Sequence, residues 1–588
     1  MKDFFKNVLA TMLGIFLFGC VMSIIGFLCL IGLIATSSTT TKIDKNSVLV
    51  LKLDGNMTEQ NEENVMNSLQ GVSTLSFEGT MNAIKKAKEN DKVAGIYLEA
   101  GQFGADLAQA EEIEKALQDF RKSGKWIIAY GEDYSTLSYY LASAANKIYM
   151  NKQGGVEWAG IGGEKVYYKN ALAKFGIKFI TTKVGKYKSA VEQMTADSIS
   201  DADREQTQRY LDGWWNTILT TVAQNRHLNK DSLNAYADRV ISLEPAENIL
   251  KYKMVDGLIY NDDISGVVKK QLGIDQDDDI NKITIDDLND DEEQVSGKHI
   301  AVYYAYGDIV DKASPQSIFQ DARQIVGNDM CKDLKDLADD DDVEAVVIRV
   351  NSGGGSAYAS EQIWHQISEI RKVKPVVVSM GGAAASGGYY LSCNADWIVA
   401  DPTTITGSIG IFGLFPDWSE LRTKKLGIKY AEVKTNRNAV FGASGHPFTP
   451  EQLSLLQRNI NRGYMLFKKR VAEGRQLTMD QVEKIAQGRV WLGQDAIKLK
   501  LIDQLGGLDD AIEKAAKLAN LTDYKTASYP SQLSSWEQLI GSYTGSDDLL
   551  DSKMQSYLGE FYEPFKIMND IKTIDKVQAR MPYIIKIK

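Results

Sequence analysis

Apolar runs alternate with helical patterns over most of the chain, most clearly in its second half. Residues 343–350 form an apolar run rich in β-branched side chains, and residues 361–373 then carry isoleucine at helical spacing. Residues 375–379 form another apolar run of strand length. Short strands that alternate with helices predict βαβ units around a largely parallel sheet. We therefore expect an α/β fold.

The same pattern occurs twice along the chain. The run that begins at Asp91 has a counterpart that begins at Asp341, and Tyr139-Tyr140-Leu141 has one at residues 389–391. Both pairs are separated by the same offset of 250 positions. An offset that holds without gaps over such a stretch indicates an internal repeat. The chain is therefore predicted to contain two tandem copies of one α/β unit.

An uncharged segment lies near the start of the chain, and its residues 8–35 are almost entirely apolar. A helix of about 20 residues crosses the hydrocarbon core of a bilayer. The apolar part of a signal peptide has only about 7–15 residues. We therefore expect a retained single-pass transmembrane helix, with a cleaved long signal peptide as the alternative.

These patterns divide the chain into five parts. The acidic composition of the central segment is typical of a linker or a solvated loop. The parts are a membrane anchor (1–45), a first repeat (46–272), an acidic linker (273–298), a second repeat (299–530) and a C-terminal extension of unassigned role (531–588).

The composition excludes some classes of protein. The formal net charge is −11, and no basic cluster is present to neutralise phosphates, which argues against a nucleic-acid partner. Two of the four cysteines lie in the apolar start, and Cys331 and Cys393 match no metal or disulfide pattern. We expect no metal and no cofactor.

Two glycine-rich turns follow predicted strands of the second repeat, at residues 351–356 and 381–389. Small residues permit strained turns and leave amides free at a helix start, where they can stabilise an oxyanion. The second turn surrounds Ser386, whose counterpart in the first repeat is Thr136, in a segment without the small residues. A purely structural turn should persist in both copies, so the difference favours a catalytic role for Ser386.

A serine nucleophile needs a base. Among the four histidines, His365 is expected on the polar side of its helix, and His446 lies in a glycine-containing loop and stays open as a candidate. A lysine can also serve when burial lowers its pKa to about 7–8. Periodicity does not choose among the 67 lysines and arginines.

Three segments in this order resemble the signal peptide peptidase A (protease IV) family in its long, two-domain form. They are VGKYKSAVE at 184–192, GGAAASGGYY at 381–390 and TGSIGIFG at 406–413. The resemblance extends from about residue 46 to 520 and includes the duplication.

The resemblance implies tandem duplicated Clp-protease/crotonase-like domains with an N-terminal transmembrane helix. It implies anchoring in the bacterial cytoplasmic membrane, with the catalytic body on the outer, periplasmic side. It also implies a ring-like homo-oligomer, for which a tetramer is one size, and cleaved signal peptides or other hydrophobic peptides as substrates. The activity expected is that of a serine endopeptidase with a Ser-Lys dyad.

Position by position, the resemblance assigns Ser386 as the nucleophile and Lys188, from the first repeat, as the general base. It assigns the amides of Gly354 and Gly387 to the oxyanion hole. Ser408 is a candidate for orienting the Lys188 amine, with a plain turn serine as the alternative.

The chain departs from the family pattern at two places near these residues. Gly353 stands where the family commonly has proline, and Gln193-Met194 replaces Pro-Phe after the lysine motif. In the second repeat Arg437 lies near the position equivalent to Lys188, and an arginine stays protonated and cannot act as a base.

Two other functions remain open from the sequence. A crotonase-like acyl-CoA enzyme also holds an oxyanion with two amides, but it should be soluble and use carboxylates. A non-catalytic membrane scaffold is the other alternative, and the complete Ser386 and Lys188 motifs count against it.

Overall fold

A computed structural model gives the fold of most of the chain. Among the residues it describes, no helix is both long and apolar enough to cross a membrane. Most of the apolar segment 8–35 lies outside the described residues, so the transmembrane helix stays a prediction. The described residues are 43–61, 75–289, 297–313, 323–443, 445–530 and 577–581, with 6, 11–15, 17–19, 21 and 22 near the start.

The first repeat is built on a parallel sheet in the order β2-β1-β3-β4-β5-β7, and helices cover its faces. Its strands are β1 (Ser47–Thr58), β2 (Leu75–Ser76), β3 (Val93–Gly104), β4 (Trp126–Gly131), β5 (Lys147–Met150), β6 (Lys178–Lys183) and β7 (Gly257–Leu258). Its helices are α1 (Phe77–Glu89), α2 (Leu107–Lys122), α3 (Thr136–Ala142), α4 (Lys169–Lys174), α5 (Glu192–Thr195), α6 (Asp201–Arg226), α7 (Lys230–Asp238), α8 (Ala246–Lys251) and α9 (Ile264–Leu272).

Part of the predicted acidic linker folds onto the first repeat. Within it, β8 (Lys282–Ile283) pairs with β1 and is followed by α10 (Ile285–Asn289). Ile283 and Leu288 are buried, which is why this stretch packs although its neighbours are acidic.

The second repeat has a mostly parallel sheet in the order β18-β16-β14-β12-β9-β20. The strands after the linker are β9 (His299–Tyr306), β10 (Asp308–Val310), β11 (Gln324–Val326), β12 (Val343–Ser352), β13 (Gly354–Ser356), β14 (Val376–Ala385), β15 (Trp397–Ala400), β16 (Ile405–Gly407), β17 (Phe412–Asp417), β18 (Val490–Leu492), β19 (Gln504–Leu505), β20 (Lys525–Tyr529) and β21 (Val577–Arg580). The helices are α11 (Gly327–Asp339), α12 (Ala357–Ile370), α13 (Gly387–Ser392), α14 (Pro450–Arg475), α15 (Met479–Ile485), α16 (Gly493–Ala496) and α17 (Leu508–Leu518).

The duplication predicted from the sequence is visible strand by strand. In the first repeat β1, β3, β4 and β5 pair in parallel, and β9, β12, β14 and β15 pair in the same order in the second. Every residue of β14 is buried, which explains its continuous apolar run, because a parallel sheet is covered on both faces.

A further sheet joins the two repeats in the order β11-β10-β13-β21-β17-β6. In it, β6 of the first repeat pairs antiparallel with β17 of the second. The repeats also share a buried ion cluster, in which Arg349 of β12 contacts Glu59 at 3.0 Å and Glu112 at 2.8 Å. The two repeats therefore form one packed body, with segments of both at the same sheet.

Candidate active site

Ser386 lies on a strained turn at the end of a buried strand. β14 ends at Ala385, and Ser386 then takes φ 55° and ψ −108° before α13 begins at Gly387. A positive φ at a residue with a side chain costs about 1–3 kcal/mol and is typical of functional sites. The amide of Ser386 donates to the Gly407 carbonyl oxygen at 2.8 Å, which fixes the turn.

Lys188 reaches this turn from the first repeat. The pairing of β6 with β17 brings the segment after Lys183 to the second repeat, where the Tyr187 amide donates to the Gln487 carbonyl oxygen at 3.0 Å. A Cβ on Gly488 would lie 2.7 Å from the Lys188 Cβ, and one on Gly410 would lie 3.2 Å from its Cδ. The aliphatic part of the Lys188 side chain therefore lies in a channel where a side chain at Gly488 or Gly410 would crowd it.

The amine of Lys188 touches the candidate nucleophile directly. Its Nζ lies 2.6 Å from the Ser386 Oγ. It also donates to the Ser408 carbonyl oxygen at 3.1 Å and contacts the Ser408 Oγ at 3.0 Å. All three side chains have no exposed surface. The structure thus brings the predicted pair together and places Ser408 within hydrogen-bonding distance of the amine.

Burial changes the proton affinity of this amine. Loss of solvation lowers the pKa of Lys188 well below its usual value of 10.5. The physical reason is that an ammonium ion loses more solvation than a neutral amine in a dry enclosure. A neutral amine next to a hydroxyl can accept its proton, which is what general-base catalysis requires.

The two glycines predicted to form the oxyanion hole, Gly354 and Gly387, lie close together in space. A Cβ placed on Gly354, whose φ is +100°, would lie 2.7 Å from the Gly387 amide nitrogen. The Gly354 amide itself donates to the Ser352 Oγ at 3.1 Å. The next residue, Gly355, is in antiparallel register with Ala579 of β21. The Gly354 amide is therefore hydrogen-bonded within the turn, and both Gly354 and Gly355 lie in register with β21.

Residues that the sequence did not single out hold the lysine segment in place. Asp203 of α6 accepts from the Ser189 Oγ at 2.6 Å and pairs with Lys165 at 2.7 Å. Gln206, on the same helix, donates to the Tyr187 carbonyl oxygen at 3.0 Å. Their spacing of three residues indicates a shared helix face, but no sequence signal identifies what that face contacts.

The histidines considered as bases lie elsewhere. His365 is exposed on α12, and His446 pairs with Glu432 at 2.7 Å. Arg437 is exposed and pairs with Glu451 at 3.1 Å. The base candidate that contacts Ser386 is therefore Lys188.

A serine and a lysine in contact inside an apolar enclosure, beside glycine amides at a helix start, are the arrangement of serine acyl-transfer enzymes. Sequence comparison assigns the family. The chain belongs to peptidase family S49, which matches residues 119–275 and 368–522, one segment in each repeat. The Clp protease family matches residues 304–397. The tandem Clp-like α/β architecture predicted from the sequence is thereby confirmed.

Whole-chain relatives agree with this assignment. The chain is 38% identical over 475 residues to Protease 4 of Salmonella typhi, covering 79% of this chain and 76% of the relative. It is 36% identical over 521 residues to Protease 4 of Haemophilus influenzae, covering 84% and 83%. It is 27% identical over 546 residues to the chloroplastic serine protease SPPA of Arabidopsis thaliana, covering 92% and 78%. The chain is a serine endopeptidase.

Proposed function

We propose that the endopeptidase works through a Ser386–Lys188 dyad and degrades cleaved signal peptides and other hydrophobic peptides at a membrane. The observation that carries the dyad is the 2.6 Å separation of the Lys188 Nζ and the Ser386 Oγ in a site without solvent exposure. A lysine so placed is neutral more readily than a surface lysine, and it is already in hydrogen-bonding distance of the hydroxyl.

In this mechanism neutral Lys188 takes the proton of Ser386 as its Oγ attacks the peptide carbonyl carbon. The oxyanion is held by the Gly387 amide together with the adjacent turn at Gly354. Lys188 then gives the proton to the leaving amine, and water hydrolyses the acyl-enzyme by the same route. Ser408 keeps the amine directed at the Ser386 Oγ throughout.

An apolar cavity lined by residues of β17, α14 and β21 supports hydrophobic peptides as substrates. It has a volume of about 240 Å³, and Phe415, Phe441, Phe448 and Ile460 are among its lining residues. Apolar and aromatic walls favour the burial of aliphatic side chains, which are frequent in signal peptides.

The test of the dyad compares the wild type with Ser386→Ala on a leucine-rich fluorogenic peptide. We expect hydrolysis by the wild type and none by the variant, with the acyl-enzyme ester detected on Ser386 by mass spectrometry. Hydrolysis by Ser386→Ala at the wild-type rate would place the nucleophile elsewhere.

The proposed setting is the bacterial cytoplasmic membrane, with residues 1–45 as a single-pass anchor and the body on the outer side as a ring-like homo-oligomer. The apolar stretch 8–35 supports the anchor. Membrane fractionation of the full chain and of a chain that starts at residue 46 tests it. Recovery of both in the soluble fraction would refute the anchor.

A further inference from the structure

The C-terminal strand β21 lies between two strands of the candidate site. It pairs antiparallel with β13 on one side, where Gly354 is in register with Arg580 and Ser356 with Gln578. On the other side it pairs antiparallel with β17, where Phe412 is in register with Gln578. The amide of Met581 also donates to the Gly353 carbonyl oxygen at 2.8 Å. Proteins commonly bind an extended peptide in this way, as an added strand.

The register places one peptide carbonyl of this strand over the glycine turn. A Cβ on Gly354 would lie 2.1 Å from the Ala579 carbonyl oxygen, and one on Gly387 would lie 3.1 Å from it. The Ala579 oxygen is thus beside the two residues assigned to the oxyanion hole. A substrate held in this register would present its reacting carbonyl at the same point.

The side chains of β21 are also buried against the rest of the protein. Ala579 has no exposed surface, and Gln578 and Met581 are buried. Val577 lines the apolar cavity together with Phe415 and Phe448. The strand thus places a small buried residue, Ala579, at the carbonyl over the glycine turn and an aliphatic residue, Val577, two positions before it.

We infer that residues 577–581 occupy the substrate groove of this chain as an internal competitor of peptide substrates. The inference rests on the proposed function for the identity of the groove. The backbone edges of β13 and β17 that bind β21 cannot bind a second strand at the same time. Because the competitor is part of the same chain, it competes at a fixed effective concentration, which a free peptide must overcome.

The first test removes the competitor. We compare the full chain with a chain that ends at residue 570, and we verify folding by thermal melting. If the tail fills the groove nine-tenths of the time, its removal lowers KM about tenfold and leaves kcat unchanged. An unchanged KM in a folded truncated enzyme would overturn the inference.

A second variant keeps the chain length. In Ala579→Phe the new ring has no room, so the tail should leave the groove and KM should fall as in the truncated enzyme. Ala171→Phe, the same change at an exposed position of α4, is the matched control and should leave KM unchanged. Equal KM values for both variants would contradict the inference.

A binding measurement separates this inference from the proposed chemistry. In the Ser386→Ala background, a fluorescein-labelled peptide of residues 574–584 should bind the truncated protein about tenfold more tightly than the full chain, as measured by anisotropy. Equal binding to both proteins overturns the inference even if hydrolysis by the wild type is normal. Tighter binding to the truncated protein supports it even if no variant hydrolyses peptides, in which case only the proposed dyad fails.

Discussion

Replacement of Lys188 by methionine should separate catalysis from stability. Methionine keeps an unbranched chain of similar length in the glycine channel but has no amine. In the wild type the Lys188 Nζ contacts the Ser386 Oγ and both oxygens of Ser408, and methionine cannot make these hydrogen bonds. The change therefore removes the proposed base and leaves the nucleophile and the glycine turn in place.

The rate should fall by the amount that a positioned base contributes. General-base catalysis is worth about 10²- to 10⁴-fold, which corresponds to about 3–5 kcal/mol of the activation barrier. In the wild type, kcat/KM should rise with pH through the lowered pKa of Lys188, because the neutral amine is the active form. In Lys188→Met the residual rate should lack this rise.

Stability should change in the opposite direction. The pKa of Lys188 is lowered in the folded protein, so between that value and 10.5 the unfolded chain binds the extra proton. The wild type therefore gains stability as the pH rises through this window, by about 1.4 kcal/mol for each unit of pKa shift. Methionine carries no proton, so its stability advantage should be largest at the acidic end and should shrink as the pH rises.

The assay is hydrolysis of a fluorogenic peptide, together with urea unfolding, at several pH values. Lys186→Met is the matched control, since Lys186 is exposed two positions away, and it should keep wild-type rates. A Lys188→Met enzyme with a rate within tenfold of the wild type, or with the same rise with pH, would refute the assignment of the base.

Three further changes test the surroundings of the dyad. Ser408→Ala removes one contact of the amine and should lower kcat about 2- to 10-fold with KM unchanged, as one hydrogen bond predicts; a wild-type kcat would remove Ser408 from the site. Gly488→Ala places a Cβ 2.7 Å from the Lys188 Cβ, at a φ of +78°, and should abolish peptide hydrolysis in a protein that still melts cooperatively; full activity would show that the channel adapts. Arg349→Ala leaves Glu59 and Glu112 buried without their cation, and urea unfolding should show a loss of about 3–5 kcal/mol. A loss below 1 kcal/mol, roughly that of a surface pair, would mean that the cluster is hydrated.

The sequence predicts individual strands and helices well because neighbouring residues determine their apolar patterns. The run 343–350 becomes β12, and the isoleucine pattern becomes α12, which begins a few residues early because Ser356 caps it through the Ala359 amide at 3.2 Å. The pairing of β6 with β17 joins segments far apart in the chain, and the sequence of neither segment predicts this pairing. The same holds for β21, because its sequence does not predict that it pairs with β13.

The first repeat holds its counterpart of Ser386 in a structural role. In the first repeat Thr136 is buried at the start of α3, and its hydroxyl donates to the Glu157 carbonyl oxygen at 2.8 Å. That hydroxyl is held in a structural hydrogen bond, in a copy whose own glycine turn is missing.

The second repeat shows the converse. Arg437, near the position equivalent to Lys188, is exposed and pairs with Glu451, so it neither enters a dry enclosure nor gives up its proton. Each copy therefore lacks what the other supplies, and the β6–β17 pairing is the contact that brings the two parts together. Lys188, the proposed base, follows β6 in the first repeat and is buried against Gly410 and Gly488 of the second, so its enclosure exists only where the two repeats pack together. The depressed pKa of Lys188 is in this sense a property of the interface between the repeats, and neither repeat alone contains the enclosure that produces it.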